Sequence, residues 1–214
     1  MRPGRRLPAR FFARPALDVA PELLGCWLVR TLPDGERLAA RIVEVEAYLG
    51  DGSDPSSHAH PGPTARNRSM FGPPGRLYAY LSYGIHTCIN VVCDAEGVGA
   101  AVLLRAAEPL VGEATMRVHR GLGASADRRR VAGGPGCLAR ALGLGLEHDG
   151  LALDGAALGL HRPPAGTPAP RVVAGPRIGI TRAVDLPYRF HVAGDRFVSG
   201  PARARARGAR SARV

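Results

Sequence analysis

The residues best suited to acid–base chemistry lie between positions 41 and 93. Arg41-Ile42-Val43-Glu44-Val45-Glu46-Ala47-Tyr48 has the β-branched, alternating composition of a strand. Alternation assigns Ile42, Glu44, Glu46 and Tyr48 to one face, and Arg41, Val43, Val45 and Ala47 to the other. Two carboxylates beside an aromatic ring suit proton transfer on a flat, stacked substrate; the plainer alternative is a solvated strand face. Of five tyrosines, four (Tyr48, Tyr78, Tyr80, Tyr83) fall in one short stretch. Tyr78 and Tyr80 share a strand face. Tyr83 precedes Gly84 at the tip of a predicted hairpin, where a large ring serves as a wedge between bases rather than as core. Such rings stack on bases and favour cationic ones, although tyrosine also has high β propensity for no further reason.

His58 and His60 sit in a loop and, with Cys88 and Cys93, raise the question of zinc; no ligand spacing of a standard zinc site is present, so no metal is expected. A loop histidine that hydrogen-bonds a substrate is the preferred reading, beside a merely solvated one. Arg66-Asn67-Arg68 and Arg105 are candidate phosphate contacts, and Arg128-Arg129-Arg130 could touch DNA or form a charged loop. Lysine is absent, so all 29 basic residues are arginine. No side-chain amine is available for a Schiff base; only an N-terminal amine could supply one.

The elements that must hold these groups emerge from periodicity and turn signals. Residues 16–24 predict a short helix stopped at Gly25, 26–32 a strand, 33–35 a turn and 38–48 a second strand. A loop over 50–75 is long enough to be functional or mobile. Residues 76–93 predict a β-hairpin around Ser82-Tyr83-Gly84, and 99–107 a further strand. The basic stretch 117–130 reads as a surface excursion and 135–144 as a helix begun by Pro135; strands are expected near 151–160, 171–180 and 188–192. Residues 1–10 form a basic N-terminal segment and 11–199 one domain, while the Arg/Ala-rich tail 200–214 is expected to be disordered and to tether DNA non-specifically.

The 214 residues are 45% hydrophobic, enough for one domain with a core, and contain no apolar run of membrane-spanning length. The basic N-terminus is a poor secretory signal because Arg10, Arg14 and Asp18 interrupt the apolar segment after it. A net charge of +11 fits a polyanion partner, and fits equally a codon bias toward arginine. Four scattered cysteines without a C-x-x-C pair read as free thiols.

In order along the chain, Glu44-Val45-Glu46-Ala47-Tyr48-Leu49-Gly50, His58, Arg66-Asn67-Arg68-Ser69-Met70-Phe71, Leu77 to Gly84, Asn90 and Leu103 to Leu110 resemble the alkyladenine (3-methyladenine) DNA glycosylase family. The resemblance spans roughly 11–199. It implies a mixed α/β (α+β) single domain around a curved antiparallel sheet, with a protruding β-hairpin and peripheral helices. It implies that Glu46 is the catalytic base and that Tyr48, His58 and Tyr80 wall the pocket for a flipped base. By the same likeness Asn90 disfavours the exocyclic amine of guanine, Tyr83 fills the gap left in the duplex, and Arg105 contacts DNA near the flipped nucleotide. No metal or cofactor is implied. Two departures stand out. The loop from Glu46 to His58 is one residue longer than the family pattern, which makes His60 a rival for His58, and Cys137 stands where relatives often carry lysine.

The function so implied is removal of alkylated or deaminated purines, 3-methyladenine and also hypoxanthine, from double-stranded DNA by a Glu-activated water, without strand cleavage. A monomer in the cytoplasm, associated with the nucleoid, and no membrane partner are expected. Two other readings stay open at this level: a non-catalytic nucleic-acid-binding protein, and a metal-dependent hydrolase using His58, His60 and a cysteine.

Overall fold

A computed structural model of the chain describes residues 2–200. Eight strands, β1 (Trp27–Thr31), β2 (Arg37–Tyr48), β3 (Leu77–Ser82), β4 (His86–Cys93), β5 (Ala100–Val111), β6 (Leu158–His161), β7 (Val172–Gly175) and β8 (Arg189–Val192), form one curled antiparallel sheet. Its order is β3-β4-β5-β2-β1-β6, with β8 also paired to β2 and β7 to β8. Four helices, α1 (Ala9–Phe12), α2 (Ala16–Glu22), α3 (Glu113–Arg120) and α4 (Pro135–Ala141), complete the mixed α/β single domain.

The sheet has two differently used faces. Leu77 and Ala79 of β3, Ile89 and Val91 of β4, and Val102 and Leu104 of β5 join the main core with Phe11, Phe12 and the helices. The residues between them, Tyr78, Tyr80, Cys88, Asn90, Leu103 and Arg105, line a cavity on the opposite face. A period of two therefore separates the main packing from the cavity.

The register of β2 with β5 shifts once near Ala39 and again between Ile42 and Val45, and the second irregularity builds the site. Ile42 pairs with Ala107 and Glu44 with Ala106, which leaves Val43 as an extra residue on β2; Val45 then pairs with Leu104, which leaves Arg105 extra on β5. These facing bulges reverse the parity of β2. Ile42 lies in the main core with Val45 and Ala47, whereas Val43 packs with Ala106 and Phe197 in a separate cluster. The expectation that Ile42 shares a face with Glu44 is thus corrected. At the same point β2 changes neighbours: residues 37–41 pair with β1, residues 44–46 with β8.

Other expectations shift for local reasons. The stretch 117–130 is not simply an excursion, because its first residues belong to α3. Glu113 and Arg117 pair at i,i+4 on that helix (2.8 Å), Met116 buries beneath it, and Gly121 ends it with φ +62°. The strand from residue 99 continues through Val111, while those near 151–160 and 171–180 shrink to four residues each. The loop 50–75 contains a 3₁₀ turn, Arg68–Phe71, and is fastened internally. Residues 201–214, most of the expected tail, lie outside the described residues.

Candidate active site

The cavity of about 670 Å³ is closed on its sides by the hairpin β3–β4, by residues 55–70 of the long loop and by residues 178–182. Glu46 is fully buried, behind the lining residues Tyr48, Arg105 and Ile178, with which it makes its polar contacts. One carboxylate oxygen, Oε1, accepts a hydrogen bond from the Ile178 amide (2.7 Å). The other, Oε2, accepts one from the Tyr48 hydroxyl (2.9 Å) and lies 3.2 Å from Nη1 of Arg105. Tyr48, Arg105 and Ile178 all line the cavity, so both carboxylate oxygens are held by residues of its wall. Burial, reinforced by the neighbouring Glu46 carboxylate, raises the Tyr48 hydroxyl far above its usual range. It therefore stays protonated as a donor to Glu46.

Glu44 is a buried structural partner and not a second exposed carboxylate. Its Oε1 accepts from Nε of Arg105 (3.1 Å) and from Nε of Arg189 (2.6 Å), and its Oε2 from the Ser199 amide (2.6 Å). Arg105 thus bridges both glutamates. The sequence pattern placed it as a DNA contact; the structure places it 7% exposed, with its charge on Glu44 and Glu46 and one edge in the cavity. Two carboxylates and two guanidiniums make a buried cluster with zero net charge, and each ion has partners within hydrogen-bond reach, as burial of charge requires.

The aromatic walls come from three elements. Tyr78 and Tyr80 stack at 5.5 Å, and the His58 ring meets Tyr80 edge-on at 4.5 Å. Nδ1 of His58 is hydrogen-bonded to the Tyr78 hydroxyl (2.8 Å). Burial, then the nearby Arg66 charge, lowers the His58 pKa, which keeps the ring neutral at neutral pH. Burial pushes the Tyr78 phenol up to about 12 and raises Tyr80 still further. His60 faces outward, bonded to the Gly52 carbonyl (3.1 Å), and Cys93 sits in the main core. Of the two histidines it is His58 that reaches the cavity, and the proposed zinc set of His58, His60 and a cysteine is not brought together. Asn90 lines the cavity and donates to the Tyr78 carbonyl (3.0 Å).

At the hairpin tip, Tyr83 and Gly84 both have positive φ (49° and 72°), and the Ile85 amide donates to the Ser82 carbonyl (3.1 Å). These are the signs of a type I′ turn. Glycine adopts that conformation freely; tyrosine does so at a cost of about 1–2 kcal/mol. Tyr83 is 84% exposed and recovers one hydrogen bond, to the Gly179 carbonyl (3.2 Å) across the cavity mouth. Arg66 lines the cavity and donates to the Leu81 carbonyl (3.0 Å), while Arg68 is exposed outside the cavity lining. Asn67 is no phosphate contact. It is buried, accepts from the Thr64 amide (2.6 Å), and donates to the carbonyls of His58 (2.7 Å) and Gly62 (3.0 Å), which fixes the loop that carries His58.

Sequence reasoning missed the pair that ties the two cavity loops together. Arg177 and Asp54, both with fully buried side chains, meet through two hydrogen bonds (2.6 and 2.7 Å). Arg177 also donates to the Ala47 carbonyl (3.0 Å) and lies 4.6 Å from the centre of the Tyr48 ring. Its neighbour Ile178 supplies the amide on Glu46. Nothing local in either segment announces a partner 123 positions away. Ser56 and the Arg182 carbonyl close the same two loops by a further hydrogen bond.

Comparison with known proteins identifies the family. The family model described as methylpurine-DNA glycosylase matches residues 10–196. A Rhodopseudomonas palustris protein named "Putative 3-methyladenine DNA glycosylase" is 50% identical over 198 residues, 92% of each chain. Proteins of the same name from Burkholderia lata and Methanoculleus marisnigri are each 47% identical, covering 93% and 90% of this chain and 93% and 98% of their own. With likeness of that depth along nearly the whole domain, the chain belongs to the methylpurine-DNA glycosylase family and is a DNA glycosylase of base-excision repair, a hydrolase acting on the N-glycosidic bond.

Proposed function

We propose that the protein removes alkylated purines, 3-methyladenine foremost, from duplex DNA by flipping the damaged nucleotide into the cavity and hydrolysing its glycosidic bond with a water activated by Glu46. The observation that carries this reading is a fully buried carboxylate held by three residues that line an aromatic cavity, one oxygen by the Ile178 amide and the other by the Tyr48 hydroxyl and Arg105. A base within the stack is out of reach, so extrusion must come first, at a cost of a few kcal/mol that is smallest for damaged pairs. In this reading Tyr83 occupies the gap, a role supported by its exposure at the hairpin tip.

An alkylated purine is cationic. Its charge favours the faces of Tyr48 and Tyr80 and makes the base a good leaving group. As the bond breaks, the sugar gains oxocarbenium character, and the Glu46 carboxylate stabilises it and accepts the proton of the attacking water. Electrons of the glycosidic bond leave with the base, and water oxygen replaces it on the sugar. A neutral base such as hypoxanthine must gain a proton to leave. In the absence of lysine no side-chain imine forms, and the product is an abasic site on an intact strand.

The test is release of 3-methyladenine from methylated duplex DNA by wild type and by Glu46→Gln. Loss in the variant, with binding of an abasic-site analogue retained and no strand nicking by wild type, is the expected result. Equal release by both proteins, or nicking without added base or heat, would overturn the assignment.

A further inference from the structure

A second concave surface lies beside β6, the strand at the far end of the sheet order from β3. Segment 4–7 runs along β6 as an extra edge: the Gly4 amide donates to the Arg162 carbonyl, the Arg162 amide to the Arg5 carbonyl (both 2.9 Å), and the Leu7 amide to the Leu160 carbonyl (2.8 Å). Gly4 has no room for a side chain, since a Cβ there would lie 2.4 Å from the Pro163 carbonyl oxygen. This strip and α1 enclose a groove of about 380 Å³, whose lining includes Arg5, Arg6, Arg10, Arg162, Pro8 and Phe11 and no carboxylate.

The four arginines are not equivalent. Arg6 turns inward, donating to the carbonyls of Asp154 (2.7 Å) and Gly155 (2.8 Å). Arg5 and Arg10 are exposed and make no side-chain hydrogen bond or ion pair among the described residues. Arg162 lies over the Phe11 ring at 5.0 Å; its one carboxylate neighbour, Glu22 at 3.8 Å, is held more closely by Arg14 at 2.8 Å. Two guanidiniums without a carboxylate partner, Arg5 and Arg10, and a third only loosely paired, Arg162, sit on backbone held by α1 and β6 and form a ready polyanion site, because binding there releases counterions without first ordering the chain. The lining of this groove shares no residue with that of the cavity.

We propose that this groove is a second DNA-backbone site, through which the enzyme seated on one duplex segment holds a phosphate run of another. The inference rests on DNA being the substrate, and it assigns the groove no part in the chemistry. It accounts for a cationic surface that the cavity does not use.

The test uses the full chain, with tail residues 201–214 unchanged, and the variant Arg5→Ser/Arg10→Ser/Arg162→Ser. Protein bound to an immobilised duplex with an abasic-site analogue is offered a labelled undamaged duplex, and capture is measured against salt. Wild type is expected to capture the second duplex with a steep salt dependence. The variant is expected to lose about tenfold or more of that capture, and its log–log salt slope to fall by about two to three, near 0.9 for each lost phosphate contact. Single-turnover excision on a short duplex stays at the wild-type rate. Arg10→Glu alone, exposed on α1, is expected to lower capture in the same direction if the triple variant folds poorly. Equal capture by folded wild type and variants would overturn the proposal, as would binding of an acidic protein or of free inorganic phosphate in preference to duplex. A protein that captures duplex normally yet excises nothing would instead remove the catalytic reading of the cavity.

Discussion

The side chain with the narrowest electrostatic setting is His58. It is not itself charged at neutral pH, and it faces a cavity suited to a cationic base. A protonated ring there would repel that base, so the Arg66 charge that helps keep His58 neutral favours substrate from a distance. Burial is the larger cause and Arg66 the second, so Arg66→Ala is expected to raise the His58 pKa part of the way back to the usual histidine value of about 6.5. An NMR titration of the ring would follow it directly. The acid side of the KM profile for an alkylated duplex is expected to move to higher pH in the variant. An unmoved His58 titration would mean that the loop carrying Arg66 contributes nothing to the neutral state. The stability sign agrees: a histidine with a depressed folded-state pKa favours the native state above its unfolded value, and that contribution declines as pH falls below it.

At the scale of elements, the site depends on two loops fastened by Arg177 and Asp54. Burial alone would raise the Asp54 carboxyl, but hydrogen bonds and charge from Arg177, with the amides of Leu49 and Ser56, outweigh it and hold the pKa below the ordinary value. Stability from this carboxylate is therefore present above about pH 4 and is lost as pH falls further. Arg177→Met leaves Asp54 buried and unpaired, at a cost of about 3–5 kcal/mol, which equilibrium denaturation would read. The variant is also expected to lower kcat more than KM, because the Ile178 amide that fixes Glu46 comes directly after Arg177. Much of this architecture was legible in the sequence. Alternation located the hairpin, both long strands and the cavity-facing tyrosines, and turn chemistry located Tyr83 and Gly84. What remained hidden depends on distant pairing. The bulges at Val43 and Arg105 are set by strand neighbours, Asn67 resembles one of three polar surface residues until its four loop bonds are counted, and the Arg177–Asp54 pair joins segments that carry no common pattern.

For the whole molecule, the main packing and the cavity occupy opposite faces of one curled sheet, which permits a cavity without opening the core. The same division governs charge. The chain carries +11 overall, yet Glu44, Glu46, Arg105 and Arg189 cancel one another in the interior. Mobile ions screen the surface over a Debye length of about 8–10 Å near physiological strength, but screen buried pairs far less. The enzyme is thereby divided into a salt-responsive outside and a salt-indifferent inside. Added salt is expected to weaken association with DNA steeply while the excision rate of a pre-bound complex stays nearly constant, as single-turnover rates at saturating enzyme would show. Such a catalyst would search for damage at a pace set by its ionic surroundings, and once seated would cut at a pace set by its own fold.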